Sequence, residues 1–326
     1  MPRAPRTASG TDSAPRLPDQ TDRVAVVTGA NSGIGYVTAR ELARSGARVV
    51  MACRSQERGR AALERLRAEV PGAAAETGEL DLGSLDSIRA FAARELPALG
   101  HDRIDLLINN AGIAMAPLER TSDGFESHFG VNHLGAFALT GLLLPRLLAG
   151  DEPRVVTVSS EGQRFGTVDL GNLNAERGYR PGRAYMQSKR ANIYFAVELQ
   201  RRLEASGLKL RSMVVAPGNT RSNIIIGRAH ERGRLYAGFI KLTLLLLFSP
   251  TPEGARTTLY AATRPDLPGG SYVVPDGLLQ RHGNPTVRGS RHELPMRDTV
   301  TARALWQISE RLTGVGYGLP PGEEGR

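Results

Sequence analysis

The chain has few of the residues that mark disulfide-rich, metal-binding or membrane-spanning proteins. Among its 326 residues it holds one cysteine, Cys53, which excludes an intramolecular disulfide and a cysteine-rich metal site. We expect no bound metal. The longest aliphatic runs, at 141–148 and 244–248, fall short of the roughly 18 residues that span a bilayer. The sequence therefore predicts a cytoplasmic protein without a transmembrane span.

Lysine is also scarce. The chain has three lysines, Lys189, Lys209 and Lys241, against 39 arginines, and its net charge is +9. Basic nucleic-acid-binding surfaces cluster on one element, whereas these arginines are scattered along the chain without interleaved aromatic residues. We therefore expect a solvated basic surface and no nucleic-acid partner.

The composition changes at both ends of the chain. Residues 1–21 are rich in proline, arginine, serine and threonine and lack the apolar core of a signal peptide, which predicts a disordered basic tail. A single alternation of strands and helices accounts for residues 22–280, and we interpret these as one domain. Residues 281–326 include a helical pattern at 299–315 and are predicted to form an extension packed on that domain.

Short apolar runs alternate with helical patterns throughout that domain. The predicted strands are 23–29, 47–54, 74–82, 104–112, 154–160, 208–218 and 271–277, and the predicted helices are 33–46, 58–70, 84–99, 122–149 and 184–207. Such alternation implies right-handed crossovers. The sequence thus predicts an α/β fold, a Rossmann-type doubly wound parallel sheet of about seven strands with helices on both faces.

The stretch Thr-Gly-Ala-Asn-Ser-Gly-Ile-Gly, at 28–35, lies between the first strand and the first helix. Gly29 permits the turn, Gly33 lets the backbone approach a pyrophosphate, and Gly35 lets the helix pack close to the strand. Free amide groups at a helix start also favour an anion. We therefore predict a dinucleotide site that includes Gly29, Asn31, Ser32, Gly33, Ile34 and Gly35.

The residues at the end of the second strand indicate whether NAD(H) or NADP(H) binds. An acidic residue about 20 positions after the glycines holds the ribose of NAD, but here the strand ends in Ala52-Cys53-Arg54. Arg54 can offer a planar fork to a 2′-phosphate, which favours NADP(H) over NAD(H). The alternative for Arg54 is a solvated charge at the strand end, and for Cys53 a small buried hydrophobic residue.

Further short motifs follow the glycine turn. They are Asp81-Leu82, Asn-Asn-Ala-Gly at 109–112, Asn132 in VNHLGAF, Ser159-Ser160 at a strand end, Tyr-Met-Gln-Ser-Lys at 185–189, and Pro217-Gly218. With the glycine turn, their order and spacing resemble the short-chain dehydrogenase/reductase family. ACRS after the second strand and the step from Ser160 to Tyr185 look most like its retinol dehydrogenase and protochlorophyllide reductase-like branch.

The resemblance implies a role for each matching residue. On the cofactor side it implies an adenine contact at Asp81 and Leu82, a cofactor path lined by Asn110, Ala111 and Gly112, and a nicotinamide border at Pro217 and Gly218. On the catalytic side it implies a relay water at Asn132, polarisation of the substrate carbonyl by Ser160, general acid or base catalysis by Tyr185, and a Lys189 that binds the nicotinamide ribose and steadies the tyrosinate.

These residue types suit hydride transfer, because a nicotinamide supplies the hydride and the protein must supply the proton. A phenol with a pKa near 10 must shift by about three units, or roughly 4 kcal/mol, to act at neutral pH. One ammonium about 4 Å away, at an effective dielectric near 20, contributes roughly that much. Tyr185 and Lys189 are four residues apart and share a helix face, so we expect Lys189 to lower the pKa of Tyr185. We interpret His128 and His133 as packing residues.

Three hypotheses stay open. The leading one is an NADP(H)-dependent carbonyl reductase or alcohol dehydrogenase, acting on CH–OH/C=O, and the aliphatic runs at 224–226 and 242–248 hint at a lipophilic small-molecule substrate. The second is a non-catalytic dinucleotide-sensing or interaction protein on the same fold. The third is an enzyme in peripheral contact with a membrane through its basic tail and 241–248. A homo-oligomer is compatible with all three. The stretch Asn219-Thr220-Arg221-Ser222 departs from the family pattern, and 223–248 matches no known motif.

Overall fold

The computed structural model of the protein describes residues 17–218, 251–277, 283–288 and 294–321. Its strands are β1 Val24–Thr28, β2 Arg48–Cys53, β3 Ala75–Glu79, β4 Leu106–Asn109, β5 Arg154–Val158, β6 Arg211–Val215, β7 Tyr272–Pro275 and β8 Pro285–Arg288. Its helices are α1 Gly33–Arg44, α2 Gln56–Glu69, α3 at 85–98, α4 Ser127–Leu148, α5 Pro181–Ala205, α6 Thr251–Thr263, α7 Leu294–Arg297 and α8 Thr299–Thr313.

Within these described residues the strands form one eight-stranded sheet in the order β3-β2-β1-β4-β5-β6-β7-β8. All neighbouring pairs are parallel except β7 and β8. Side chains alternate between two cores: Val27 of β1 packs with Leu42 on one face, and Val26 packs with Phe137 on the other. The predicted doubly wound parallel sheet with helices on both faces is confirmed.

The antiparallel strand β8 was not predicted. It has four residues, and its side chains are exposed or half-buried, so it lacks the apolar run that marks a buried strand. It comes from the segment predicted as an extension of the domain. At the other end, the backbone amide of Gln20 donates to the Ser45 carbonyl over 2.7 Å, so the last residues of the predicted tail lie against the protein. Residues 1–16 lie outside the described residues.

The C-terminal helix α8 packs on α4 and α5. Trp306 of α8 is buried, with ring centroids 5.0 Å from Phe137 and 4.5 Å from Tyr317. The Arg202 guanidinium lies 4.5 Å from the Trp306 ring centroid. The C-terminal segment thus contributes to the same core that supports α5.

Helix α4 is long and apolar enough to cross a membrane by length and composition alone. However, 72% of its most apolar window is buried inside the protein, and buried core helices pass the same test. The run at 141–148, which is too short to span a bilayer by itself, is the second half of this helix.

The strand order reverses between β1 and β4, which is the place where ligands bind in open α/β sheets. The glycine turn follows β1 there, and the Asn-Asn-Ala-Gly motif follows β4. Thr28 joins them: its hydroxyl accepts hydrogen bonds from the Asn110 and Ala111 amides at 3.0 and 2.9 Å, and its carbonyl accepts one from the Asn110 side chain at 2.8 Å. The fold therefore brings the predicted cofactor residues to one edge.

Candidate active site

The glycine turn after β1 has the conformation that its sequence predicts. Gly29 and Gly33 have φ angles of +67° and +60°, which favour glycine. At Gly35 an added Cβ would overlap the Asn110 side-chain amide and lie 2.5 Å from the Gly29 carbonyl oxygen. Gly35 is therefore required by the close approach of α1 to the strands, as predicted.

The start of α1 suits an anionic group. The first turn of α1 has no acidic residue, and the side chain of its N-cap, Ser32, makes no capping hydrogen bond. An added Cβ at Gly33 would meet no atom within 4 Å, so the backbone there borders open space. Free amides, the helix dipole and room above Gly33 together fit the pyrophosphate of a dinucleotide. Asn31 and Ile34 lie in the same turn and are half-buried.

The residues predicted near the adenosine lie at the ends of β2 and β3. Arg54 is exposed and, within the described part of the chain, forms no ion pair. Asp81 is half-buried and its carboxylate accepts the Gly83 amide at 2.9 Å, while Leu82 is buried. Cys53 lies beneath the glycine turn; burial raises the pKa of its thiol to about 11, although the Ala30 and Asn31 amides oppose that rise.

Asn132 lies in a π-helical turn, Gly130–Leu134, within α4. Its side-chain oxygen accepts the Ile113 amide at 2.7 Å, and its side-chain nitrogen donates to the Ile113 carbonyl at 3.0 Å and to the Ser188 hydroxyl at 2.9 Å. Such π-turns are frequent at functional sites. Asn132 thus joins the loop after β4 to α5, beside Lys189.

Ser160, Tyr185 and Lys189 meet at the carboxyl end of β5. Ser160 is the N-cap of a 3₁₀ helix, Glu161–Phe165, and its hydroxyl lies close enough to Tyr185 to affect the pKa of that phenol. Lys189 is 5% exposed, and its ammonium donates to the Val158 carbonyl at 3.1 Å. An added Cβ at Gly112 would lie 3.2 Å from the Lys189 nitrogen, so the backbone passes close to the amine. The structure brings together all four predicted catalytic residues.

Residues 23–232 match the family model described as short chain dehydrogenase. The chain belongs to the short-chain dehydrogenase family. Within it, the similarity is to retinol dehydrogenase-like members: the chain is 41% identical over 321 residues to polyprenol dehydrogenase of Mus musculus, covering 96% of this chain and 90% of that one. It is 39% identical over 306 residues to human retinol dehydrogenase 14, covering 90% and 87%.

Solved structures superpose on this protein over most of its length. A protein of Mycobacterium paratuberculosis, described as uncharacterized, superposes with a TM-score of 0.74 at 44% identity and covers 93% of this chain and 97% of that one. A short chain dehydrogenase of Pseudomonas syringae superposes with a TM-score of 0.60 at 26% identity, covering 79% and 96%. This short-chain dehydrogenase is therefore an oxidoreductase of CH–OH and C=O groups that uses a nicotinamide dinucleotide.

The electrostatics of the dehydrogenase site differ from the sequence-based expectation. Burial raises the pKa of Tyr185, and the hydrogen bond from Ser160 opposes that rise. Burial lowers the pKa of Lys189 from 10.5 to about 8. We predicted that Lys189 lowers the pKa of Tyr185, but the pKa of Tyr185 is raised. The reason is that desolvation disfavours the tyrosinate and the Lys189 ammonium alike.

Two histidines of α4 lie near this site. The Nε2 atom of His128 accepts the Ala116 amide at 3.1 Å, which places the proton on Nδ1, 2.8 Å from a Glu126 carboxylate oxygen. The His128 ring packs edge-on against Tyr185 with centroids 6.2 Å apart. His133 is buried against Phe129, and burial lowers its pKa to about 4. Neither the carboxylate nor the loop amide that hold His128 could be inferred from local spacing.

The remaining predicted residues lie at the end of β6. Pro217 and Gly218 are half-buried, and Gly218 has a φ angle of +71°. The amide of Ala216 donates to the Val273 carbonyl at 2.9 Å, which fixes this strand end against β7. The departure at Asn219-Thr220-Arg221-Ser222 and the aliphatic runs at 224–226 and 242–248 lie outside the described residues.

Proposed function

We propose that the protein is an NADP(H)-dependent oxidoreductase that interconverts a carbonyl and an alcohol on a lipophilic small molecule, with Tyr185 as general acid or base. The meeting of Ser160, Tyr185 and Lys189 at the carboxyl edge of the sheet carries this proposal, because it places a hydroxyl, a phenol and an amine together, with Tyr185 and Lys189 one helical turn apart.

The bound nicotinamide supplies or accepts the hydride. Ser160 donates a hydrogen bond to the carbonyl oxygen of the substrate. Tyr185 gives its proton to the alkoxide during reduction and takes it back during oxidation. Burial disfavours the tyrosinate and the Lys189 ammonium when each is charged alone. We propose that the Lys189 ammonium, one helical turn away, stabilises the tyrosinate that forms during the reaction. Lys189 would also hold the nicotinamide ribose of a bound cofactor.

A lipophilic substrate is supported by exposed apolar side chains beside the site. Phe165 ends the 3₁₀ helix that begins after Ser160 and is 82% exposed, and Met115, three residues after Gly112, is 51% exposed. Contiguous exposed apolar surface marks binding sites for apolar ligands, and we propose that these two side chains contribute to such a surface. The names of the relatives, polyprenol dehydrogenase and retinol dehydrogenase, refer to apolar alcohols.

Replacement of Tyr185 by phenylalanine tests the proposed reaction. We expect Tyr185→Phe to lower the turnover number at least about 10²-fold, because the general acid is lost. The cofactor site is intact in this variant, so NADPH binding, followed by its fluorescence, should be retained. Turnover is followed by nicotinamide absorbance with a panel that ranges from 2-propanol to retinol and a polyprenol, and the apolar alcohols should give the higher kcat/KM.

Unimpaired turnover in Tyr185→Phe would remove the proposed proton carrier. Tight NADPH binding by the unaltered protein without turnover of any alcohol or carbonyl in the panel would instead favour the dinucleotide-sensing alternative.

Reversal of charge at Arg54 tests the cofactor preference. We expect Arg54→Asp to weaken NADPH binding at least about 10-fold, since a phosphate contact is replaced by repulsion, and to leave NADH binding equal or stronger, since an acidic residue at this position can hold the ribose hydroxyls. Arg48, exposed at the other end of β2, provides the matched control Arg48→Asp. Equal affinities for NADPH before and after the Arg54 change would refute the assignment.

A further inference from the structure

Arg190 follows Lys189 on α5, but its side chain lies against a different part of the protein. It is 9% exposed, and its guanidinium donates to the Gly166 carbonyl at 2.6 Å and to the Gln163 carbonyl at 3.4 Å. These two carbonyls belong to the 3₁₀ helix and its end, the segment that starts at Ser160. A buried cation therefore holds the backbone that follows the predicted carbonyl-polarising serine.

The same short segment determines where the Ser160 hydroxyl lies. The Gln163 amide donates to the Ser160 carbonyl at 3.1 Å, and the Gly162 amide donates to the Ser160 hydroxyl at 3.2 Å. The Gly166 amide closes the turn on the Gln163 carbonyl at 3.0 Å. A displacement of the turn would therefore move Ser160 relative to Tyr185.

On its other side, Arg190 is connected to the C-terminal segment. Tyr194, one helical turn further along α5, is buried, and its hydroxyl donates to the Asp298 carboxylate at 3.1 Å. Burial raises the pKa of the Tyr194 phenol, and the adjacent Arg190 guanidinium opposes that rise. The other oxygen of Asp298 accepts the Thr301 amide at 3.0 Å and caps α8.

The charges along this chain of contacts compensate one another. The Arg190 cation is removed from water, which is costly unless an anion or several acceptors replace the solvent. Two backbone carbonyls accept hydrogen bonds from the guanidinium. The Tyr194 phenol, one helical turn away, lies near enough to Arg190 to feel its charge and donates to the Asp298 carboxylate. Removal of Asp298 would leave the cation and the phenol less well compensated and loosen the turn.

We propose that Asp298, Tyr194 and Arg190 are positioning residues that hold Ser160 in place, so that the C-terminal segment takes part in forming the active site. This inference rests on the proposed role of Ser160 as the group that polarises the substrate carbonyl.

The test uses the full chain with Asp298→Asn, Tyr194→Phe and Arg190→Met. In Asp298→Asn the side-chain oxygen can still cap α8 and the side-chain nitrogen can donate to the Tyr194 hydroxyl, so this variant removes the negative charge and reverses the hydrogen bond to Tyr194 while it keeps the cap. Tyr194→Phe removes that hydrogen bond altogether. Ser309→Ala is the matched control, because it removes a different buried contact of α8, the 2.9 Å hydrogen bond between Ser309 and His133.

Two measurements separate positioning from general support. Hydrogen exchange of peptides covering 160–166 should quicken about 10-fold in Asp298→Asn and Tyr194→Phe but not in Ser309→Ala. The turnover number should fall about 10-fold in the same two variants, with NADPH affinity within twofold and Tm close to that of the control. Arg190→Met should show the larger effect in both measurements.

Unchanged exchange at 160–166 in Asp298→Asn and Tyr194→Phe would overturn the positioning role, whatever their activity. Faster exchange with turnover equal to Ser309→Ala would also overturn it, since the turn would then move without consequence for catalysis. Absence of turnover in the unaltered protein would instead count against the proposed function, and the exchange measurement would still decide whether the chain of contacts holds the turn.

Discussion

Two pairs of side chains on α5, Tyr185 with Lys189 and Arg190 with Tyr194, combine a phenol and a cation four residues apart. The first pair lies beside Ser160 and the Gly112 backbone, and the second contacts the 3₁₀ helix and the C-terminal segment. In the first pair burial brings the pKa of the lysine down to about 8, so its charge responds to what lies beside it. An arginine stays protonated in proteins and presents a fixed fork of donors. The two pairs thus differ in their cations: burial disfavours the charge of Lys189, whereas Arg190 holds a backbone segment through two carbonyls.

Substitutions of Lys189 are expected to have the largest effect on kcat/KM, and they test the distinction between the two pairs. We expect Lys189→Met to lower kcat/KM at least about 10²-fold, because both the ribose contact and the stabilisation of the tyrosinate are lost. Lys189→Arg should recover less than about a tenth of the activity, since the amine lies close to the Gly112 backbone and leaves little room for a planar guanidinium. Steady-state kinetics with NADPH measures both.

Lys209 provides the control for that prediction. It is exposed just beyond the end of α5, and Lys209→Arg should leave kcat/KM within twofold. Full activity of Lys189→Arg would show that any cation suffices at this position and would remove the distinction between the two pairs.

A smaller effect is expected from Asn132, which connects the loop after β4 to the first pair. Asn132→Ala removes three buried hydrogen bonds, so we expect a loss of about 2–3 kcal/mol in the free energy of unfolding and about a 10-fold drop in turnover. Urea denaturation and kinetics measure the two quantities. An unchanged turnover with the stability loss would make Asn132 a purely structural bridge.

The first pair could be predicted from the sequence, whereas the second could not. Tyr185 and Lys189 are related by helical spacing alone, and the glycine turn is marked by its position between a strand and a helix. The contact between Tyr194 and Asp298 joins residues 104 positions apart, and no local pattern specifies it. Only the structure shows that Asp298, in the segment after residue 294, contacts Tyr194 of α5.

The same distinction applies to the fold. Buried parallel strands were predicted from their continuous apolar runs, while the exposed edge strand β8 has no such signal. The π-turn at Gly130–Leu134 was missed because hydrophobic spacing does not resolve a single wider turn inside a helix. The start of α5 at Pro181, three residues before the predicted start, had a signal in its first-turn proline.

The smallest expected effect separates two contacts of α8 by their response to pH. His133, bonded to Ser309, has a pKa of about 4 in the folded protein against 6.5 when exposed, so the unfolded chain binds the proton more readily. The stability that the neutral imidazole contributes is complete above pH 6.5 and is lost as the pH falls towards 4. The pKa of Asp298 is lowered from 3.8, because hydrogen bonds from Thr301 and Tyr194 outweigh the opposing effect of burial. The contact between Asp298 and Tyr194 therefore does not titrate between pH 7 and pH 5.

We therefore expect the free energy of unfolding to fall by roughly 2 kcal/mol more between pH 7 and pH 5 in the unaltered protein than in His133→Gln, which keeps a hydrogen-bonding side chain that cannot titrate. Urea denaturation at the two pH values measures the difference, and Asp298→Asn should show the same pH dependence as the unaltered protein. Equal pH dependence of His133→Gln and the unaltered protein would mean that the imidazole is solvated or already charged. Loss of the pH dependence in Asp298→Asn, with His133→Gln unchanged, would assign the acid-sensitive contact of α8 to Asp298.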